Sequence, residues 1–277
     1  MSVTGAVPRY FDFLIEGFGR GEVGRHVHLG HWDAPADAAT PGAADFIRAQ
    51  ARLDAILLDM AGLADGQSVL DAGCGFGGTL QAVDGRHAGM RLLGVNVDPR
   101  QLEICRQIAP RAGNQLDWEL ADACRLPVAD ASFDRILCIE AMFHFSSRRE
   151  FFREAARALR PGGVLVCSDI VASPAARRLQ AAGFRNEAVL REGYGPWPDL
   201  WGEDADHAAL AAAAGLRSSD LRDATRKTLP SHRYTVPPGI DERSDPGEPM
   251  LRAALMLRWL HREGHLRVLY MRFDKPA

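Results

Sequence analysis

The chain has few cysteines and no cysteine pairing motif. Its five, Cys74, Cys105, Cys124, Cys138 and Cys167, are odd in number, and none stands in a C-x-x-C pair. That argues against a disulfide framework or a cysteine-built zinc site. Several of them lie in apolar runs, where a thiol acts as a small apolar side chain, so reduced thiols in the cytoplasm are expected. No run of about 18 to 20 apolar residues is present to span a bilayer. Acids, glycines and histidines interrupt the opening residues, so no secretory signal is expected. The formal net charge of −3 supplies no basic field to draw the chain onto nucleic acid. No internal repeat is visible. Composition therefore points to a protein of the cytoplasm without a nucleic-acid or membrane partner; a monomer or homodimer is expected.

What is present is an ordinary globular composition, 47% hydrophobic and 25% charged over 277 residues. It is enough for one large α/β domain or a domain with a cap. The organising stretch is Ser68 to Gly78, an apolar run that breaks into Gly73, Gly75 and Gly77 and resumes as a helix from Thr79. Clustered glycines between strand and helix let backbone N–H groups approach a ligand closely. The spacing is not the G-x-G-x-x-G of dinucleotide folds, and Asp71 ahead of it would repel a phosphate and suit a cation. The turn is built for something other than a pyrophosphate.

This D-x-G-x-G-x-G turn resembles motif I of the class I S-adenosylmethionine-dependent methyltransferases, and the resemblance continues downstream. Met90 to Asp98 reads as a second strand whose exit, G-V-N-x-D-x-x-Q, is similar to the variant of cyclopropane-fatty-acid-synthase-like and natural-product methyltransferases. Asn96 and Gln101 are then expected at the cofactor ribose, where the family more often has an acid. Asp98 either competes for that contact or caps the helix that starts at Pro99, the favoured reading. Ala121-Asp122-Ala123 with Leu126-Pro127 resembles the adenine-binding loop, in which the acid accepts from the exocyclic amine. Asp130 to Glu140 resembles the D-x-x-F-D-x-h-x-x-x-E motif entering the fourth strand. The resemblance thus implies S-adenosylmethionine as cofactor, contacted by Asp71, Gly73, Gly75, Gly77, Asn96, Val97, Gln101, Asp122, Ala123 and Glu140. It implies a Rossmann-like, mostly parallel seven-stranded α/β sheet with an antiparallel last strand.

Residues 1–45 are expected to form an N-terminal lid and 46–277 the methyltransferase domain, with a substrate cap inserted at about 173–205. His26-Val27-His28-Leu29-Gly30-His31-Trp32 is similar to the lid of small-molecule methyltransferases of the tocopherol, sarcosine and sugar O-methyltransferase groups. By that resemblance Tyr10 and Trp32 are cofactor or substrate contacts, and otherwise core aromatics. His26 and His28 share a face of an extended segment with no neighbouring carboxylate or cysteine to complete a metal set, so no metal is expected.

Ligand chemistry in such sheets falls at the carboxyl ends of the strands. His144, just past the fourth strand, is therefore expected at the methyl acceptor, where an imidazole can serve as base. The rebeccamycin-type sugar O-methyltransferases have a histidine here and an acid after the fifth strand. Carried over, His144 is the base and Asp169 orients it or holds the substrate; alternatively His144 only hydrogen-bonds at the rim. Tyr194, Trp197 and Trp201 are expected to wall the acceptor or pack the cap, with His232 and Tyr234 as secondary substrate contacts. Leu266 to Phe273 alternates as an antiparallel edge strand does. The functional expectation is O-methylation of a small molecule in secondary metabolism. The alternatives are C- or N-methylation by proximity, or a cofactor-binding protein without turnover.

Overall fold

The computed structural model describes residues 10–33, 43–111, 113–184, 187–198, 207–241 and 246–277. Five strands, β1 (Ser68–Ala72), β2 (Arg91–Asn96), β3 (Gln115–Leu120), β4 (Phe133–Ile139) and β5 (Leu159–Ala172), run parallel. With β6 (Arg217–Asp223) and β7 (Leu266–Asp274) they make one seven-stranded sheet of order β3-β2-β1-β4-β5-β7-β6, in which β7 is antiparallel to both neighbours. The central strands are buried on both faces, and alternate residues sort into two cores. Val69, Leu137 and Val166 enter one; Leu70, Ile136 and Leu165 enter the other.

One expectation is corrected. The alternation in Leu266–Asp274 suggested an edge, but β7 lies inside the sheet, and Val268, Leu269, Tyr270 and Met271 are buried in succession. The edge is β6, whose sequence Arg-Ser-Ser-Asp-Leu-Arg-Asp is polar, as an unpaired rim tolerates.

The helices follow local signals. α1 (Tyr10–Gly19) opens the described chain, and α2 (Ala43–Ala61) buries Leu53, Leu57 and Met60 before Gly62 turns left-handed at φ +59°. α3 (Gly78–Arg86) follows the glycine turn. α4 (Pro99–Cys105) has proline in its first turn and Asp98 as its cap, the carboxylate accepting from Arg100 N–H at 2.9 Å. α5 (Arg148–Ala158) is capped by Ser147. α6 (Pro174–Ala181) and α7 (Glu187–Tyr194) follow β5, and α8 (His207–Ala213) precedes β6. The short α9 (Thr225–Thr228) and α10 (His232–Thr235) lead to α11 (Pro249–Arg262). Among the described residues no helix is long and apolar enough to cross a membrane.

The segment after α1 is bonded to distant parts of the fold. Leu29 N–H donates to Glu140 (3.0 Å), Gly30 N–H to the Ser231 hydroxyl (2.8 Å) and His31 N–H to the Ala49 carbonyl (2.8 Å).

Candidate active site

A cleft of about 700 Å³, the size of an ordinary small-molecule site, opens at the carboxyl ends of β1, β2 and β4. The glycine turn forms part of its wall. Gly73, Gly75 and Gly77 all adopt left-handed φ, at +80°, +53° and +80°. A Cβ on Gly73 would stand 2.5 Å from the Ala141 methyl, and one on Gly77 would stand 2.6 Å from the Trp118 indole. Both dihedral angle and space therefore demand glycine.

Asp71 lines the cleft beneath this turn. Burial, reinforced by the neighbouring Asp54 carboxylate, pushes its pKa up to about 8. A carboxylate so placed gains from a bound cation and loses from a phosphate. Asn96 and Gln101, both buried, form one unit. The Asn96 oxygen accepts from Asp98 N–H (3.1 Å), and its amide nitrogen donates to the Gln101 oxygen (3.0 Å). Asn96 lines the cleft, its oxygen holding the Asp98 backbone and its amide nitrogen orienting Gln101. Gln101 Nε2 is left buried with no partner among the described residues, a donor suited to ribose oxygens. Val97, Asp122 and Ala123 line the same wall, and Asp122 accepts from Cys124 N–H at 2.8 Å to fix its own turn. A cation-seeking acid, a free ribose-range donor and a side-chain-free turn together fit S-adenosylmethionine.

The other end of the cleft is assembled from four places in the chain. Glu140, the residue after β4, sits at φ +46°, a strained conformation for a non-glycine residue. Its Oε2 accepts from Leu29 N–H, its Oε1 is buried without a partner among the described residues, and burial pushes its pKa up to about 7. His144 closes the single turn Met142–His144. Its Nδ1 lies 2.8 Å from the Pro196 carbonyl, which can only accept, so Nδ1 carries the hydrogen and Nε2 the lone pair. Tyr10 Oη is 3.3 Å from that nitrogen and donates to it. Burial holds the imidazole pKa down at about 4, so the ring is neutral near pH 7. Tyr10 also packs edge-on against Tyr194 of α7 with centroids 5.5 Å apart, while Trp197 stacks on Phe143 at 4.5 Å. Trp201 lies outside the described residues.

Several expected site residues are elsewhere. Asp169 does not orient His144. It is buried and accepts from Arg148 Nε (2.7 Å) and from His207 Nε2 (2.8 Å). Burial alone would raise its pKa, but the Arg148 charge and the His207 contacts hold it below the usual carboxylate range. Trp32 is a core aromatic away from the cleft, donating to the Ser231 hydroxyl at 3.0 Å and stacked on Tyr234 at 5.6 Å. Tyr234 stacks on Phe46, and His232 is buried against His261 at 2.9 Å, so neither reaches the cleft. Sequence reasoning missed Arg25 and Thr79, which line the cleft at the glycine turn, and weighed His26 and His28, which line it too, only as an incomplete metal pair. The H-x-H-x-G spacing was visible, but nothing in it said which element it would meet.

The methyltransferase domain family matches residues 70–167. The chain is 34% identical over 217 residues to the methyltransferase GfsG of Streptomyces halstedii, covering 76% of this chain and 73% of that one. To the O-methyltransferase resE of Aspergillus sclerotiorum it is 29% identical over 244 residues, 86% of each. To the 27-O-demethylrifamycin SV methyltransferase of Amycolatopsis mediterranei it is 31% identical over 210 residues, 75% of this chain and 72% of that one. Among solved structures, the [4+2]-cyclase SpnF matches with a TM-score of 0.72 at 19% identity, covering 100% of both chains. The mycolic acid cyclopropane synthase CmaA1 matches with a TM-score of 0.73 at 17% identity, covering 97% and 99%. Likeness at that identity speaks for the fold, which a cyclase also uses. On the strength of these sequence relatives, and with a cleft whose residues fit the cofactor, the chain belongs to the class I methyltransferases that act on small molecules with S-adenosylmethionine as methyl donor.

Proposed function

We propose that this methyltransferase acts on a hydroxyl oxygen of a small natural-product acceptor, with His144 as general base. The observation that carries the reading is the His144 tautomer: Pro196 takes the Nδ1 hydrogen and leaves the Nε2 lone pair on the side of the cleft occupied by Tyr10. The relatives resE and the rifamycin enzyme, both named for O-methylation, support the choice of oxygen.

Bound S-adenosylmethionine supplies a methyl group on a positively charged sulfur. The glycine turn, Gln101 and Asp122 hold the donor, while Tyr10, Phe143, Tyr194 and Trp197 keep water from the acceptor end. An incoming hydroxyl takes the place of the Tyr10 hydroxyl at Nε2. His144 then removes its proton as the oxygen attacks, with much of the acceleration arising from alignment.

The test is methyl transfer to a panel of phenols, sugars, amines and activated carbon acids by parent and His144→Ala enzyme, with S-adenosylhomocysteine binding measured in parallel. Transfer to oxygen should fall by about 10² to 10⁴ in the variant while product binding persists. Transfer to nitrogen or carbon alone, or turnover of the variant within a few-fold of the parent, would remove this assignment.

A further inference from the structure

We propose that His26, His28 and Asp54 bind a divalent transition metal of the zinc type at the glycine-turn end of the cleft, clamping the segment 20–33 to α2. In sequence the two histidines lack a third ligand. The fold supplies one, because Asp54, four residues beyond Gln50 on α2, is carried to them by that helix. Gln50 fixes the approach by donating to the His26 and His28 carbonyls at 2.9 and 2.8 Å.

One ligand atom from each of the three residues lies within 4.8 Å of the others. His28 Nε2 and His26 Nδ1 are 3.3 Å apart. Two nitrogens bound at about 2.05 Å to a tetrahedral ion stand about 3.3 Å from each other, so this pair is already at coordination spacing. The surroundings are also those of a metal ligand set. His28 Nδ1–H donates to the Leu29 carbonyl at 2.7 Å, which orients Nε2 as a bare lone pair, and Asp54 is steadied by the Thr79 hydroxyl at 2.7 Å. His26 and His28 also line the cleft.

A plain hydrogen bond between the two rings also spans 3.3 Å, and the metal alone separates the two cases. The full chain, stripped with chelator, is titrated with zinc chloride by calorimetry and with cobalt chloride by visible absorption. One saturable site per chain with a four-coordinate ligand-field spectrum is expected, together with a higher Tm on zinc addition. His28→Ala and Asp54→Asn should each weaken zinc by at least about 100-fold and abolish the Tm rise; Thr79→Val, which keeps all three ligands, should weaken it by about 10-fold. Thr79→Val guards against a ligand variant that fails to fold. No saturable binding in the micromolar range, or an affinity the ligand variants leave unchanged, overturns the proposal.

Discussion

Glu140 and Asp169 stand at the carboxyl ends of neighbouring strands, and both were expected to serve the site. They are finished very differently. Asp169 has both oxygens engaged, Oδ2 by Arg148 and His207 and Oδ1 by Arg148 and the Ile170 N–H. Glu140 has one oxygen on Leu29 N–H and one without a partner among the described residues. The same burial therefore ends in opposite pKa directions, down for Asp169 and up for Glu140. A carboxylate satisfied by its own chain holds the fold together. One left incomplete among the described residues, on a strained backbone in the cleft wall, is the kind of group that a bound ligand would complete.

The largest effect that can break this contrast is Asp169→Asn. It puts a neutral amide in place of the carboxylate that the Arg148 guanidinium, only 2% exposed, and His207 both contact. Removing one partner of a buried pair costs about 3 to 5 kcal/mol. Urea unfolding should register that loss, with S-adenosylhomocysteine affinity of the folded fraction unchanged; a variant of parental stability with impaired methyl transfer would return Asp169 to the catalytic site.

Gln101→Met probes the other incomplete group. It removes the buried Nε2 donor at similar volume and should weaken S-adenosylhomocysteine by about 1 to 2 kcal/mol, roughly 5- to 30-fold. Calorimetry decides it, and parental affinity would mean that the free donor is not directed at the cofactor.

The contrast also marks how far the sequence could be read. The glycine turn, Asp71, the Asp98 cap and Asp122 were legible because each is a local pattern, with strand, turn and helix in one short stretch. What escaped depended on partners far along the chain. His207, 38 residues past Asp169, decides that Asp169 is structural. Ser231, 199 residues past Trp32, draws that indole into the core. Pro196 sets the His144 tautomer across 52 residues, and α2 brings Asp54 to a histidine pair that seemed to lack a ligand in sequence. The interior position of β7 was hidden because the strand that covers its outer side, the polar β6, lies far upstream in the chain.

The smallest predicted effect is also the sharpest test of the contrast, because its sign differs between the two acids. The Glu140 pKa is raised in the fold from 4.5 to about 7, so its contribution to stability is complete below the unfolded value and is lost as pH rises through the folded one. The lowered Asp169 pKa works the other way, with its contribution present above 3.8 and lost as pH falls. Glu140→Gln keeps an oxygen for Leu29 N–H and cannot ionise. It should therefore match the parent near pH 4.5 and exceed it at pH 8 by on the order of 1 kcal/mol, once partial access to water is allowed for. Asp169→Asn should instead lose most at pH 8 and approach the parent in acid. Urea unfolding at the two pH values measures both slopes. If Glu140→Gln were destabilised at pH 8, its carboxylate would be a structural ion of the same kind as Asp169, and the difference between the two strand ends would disappear.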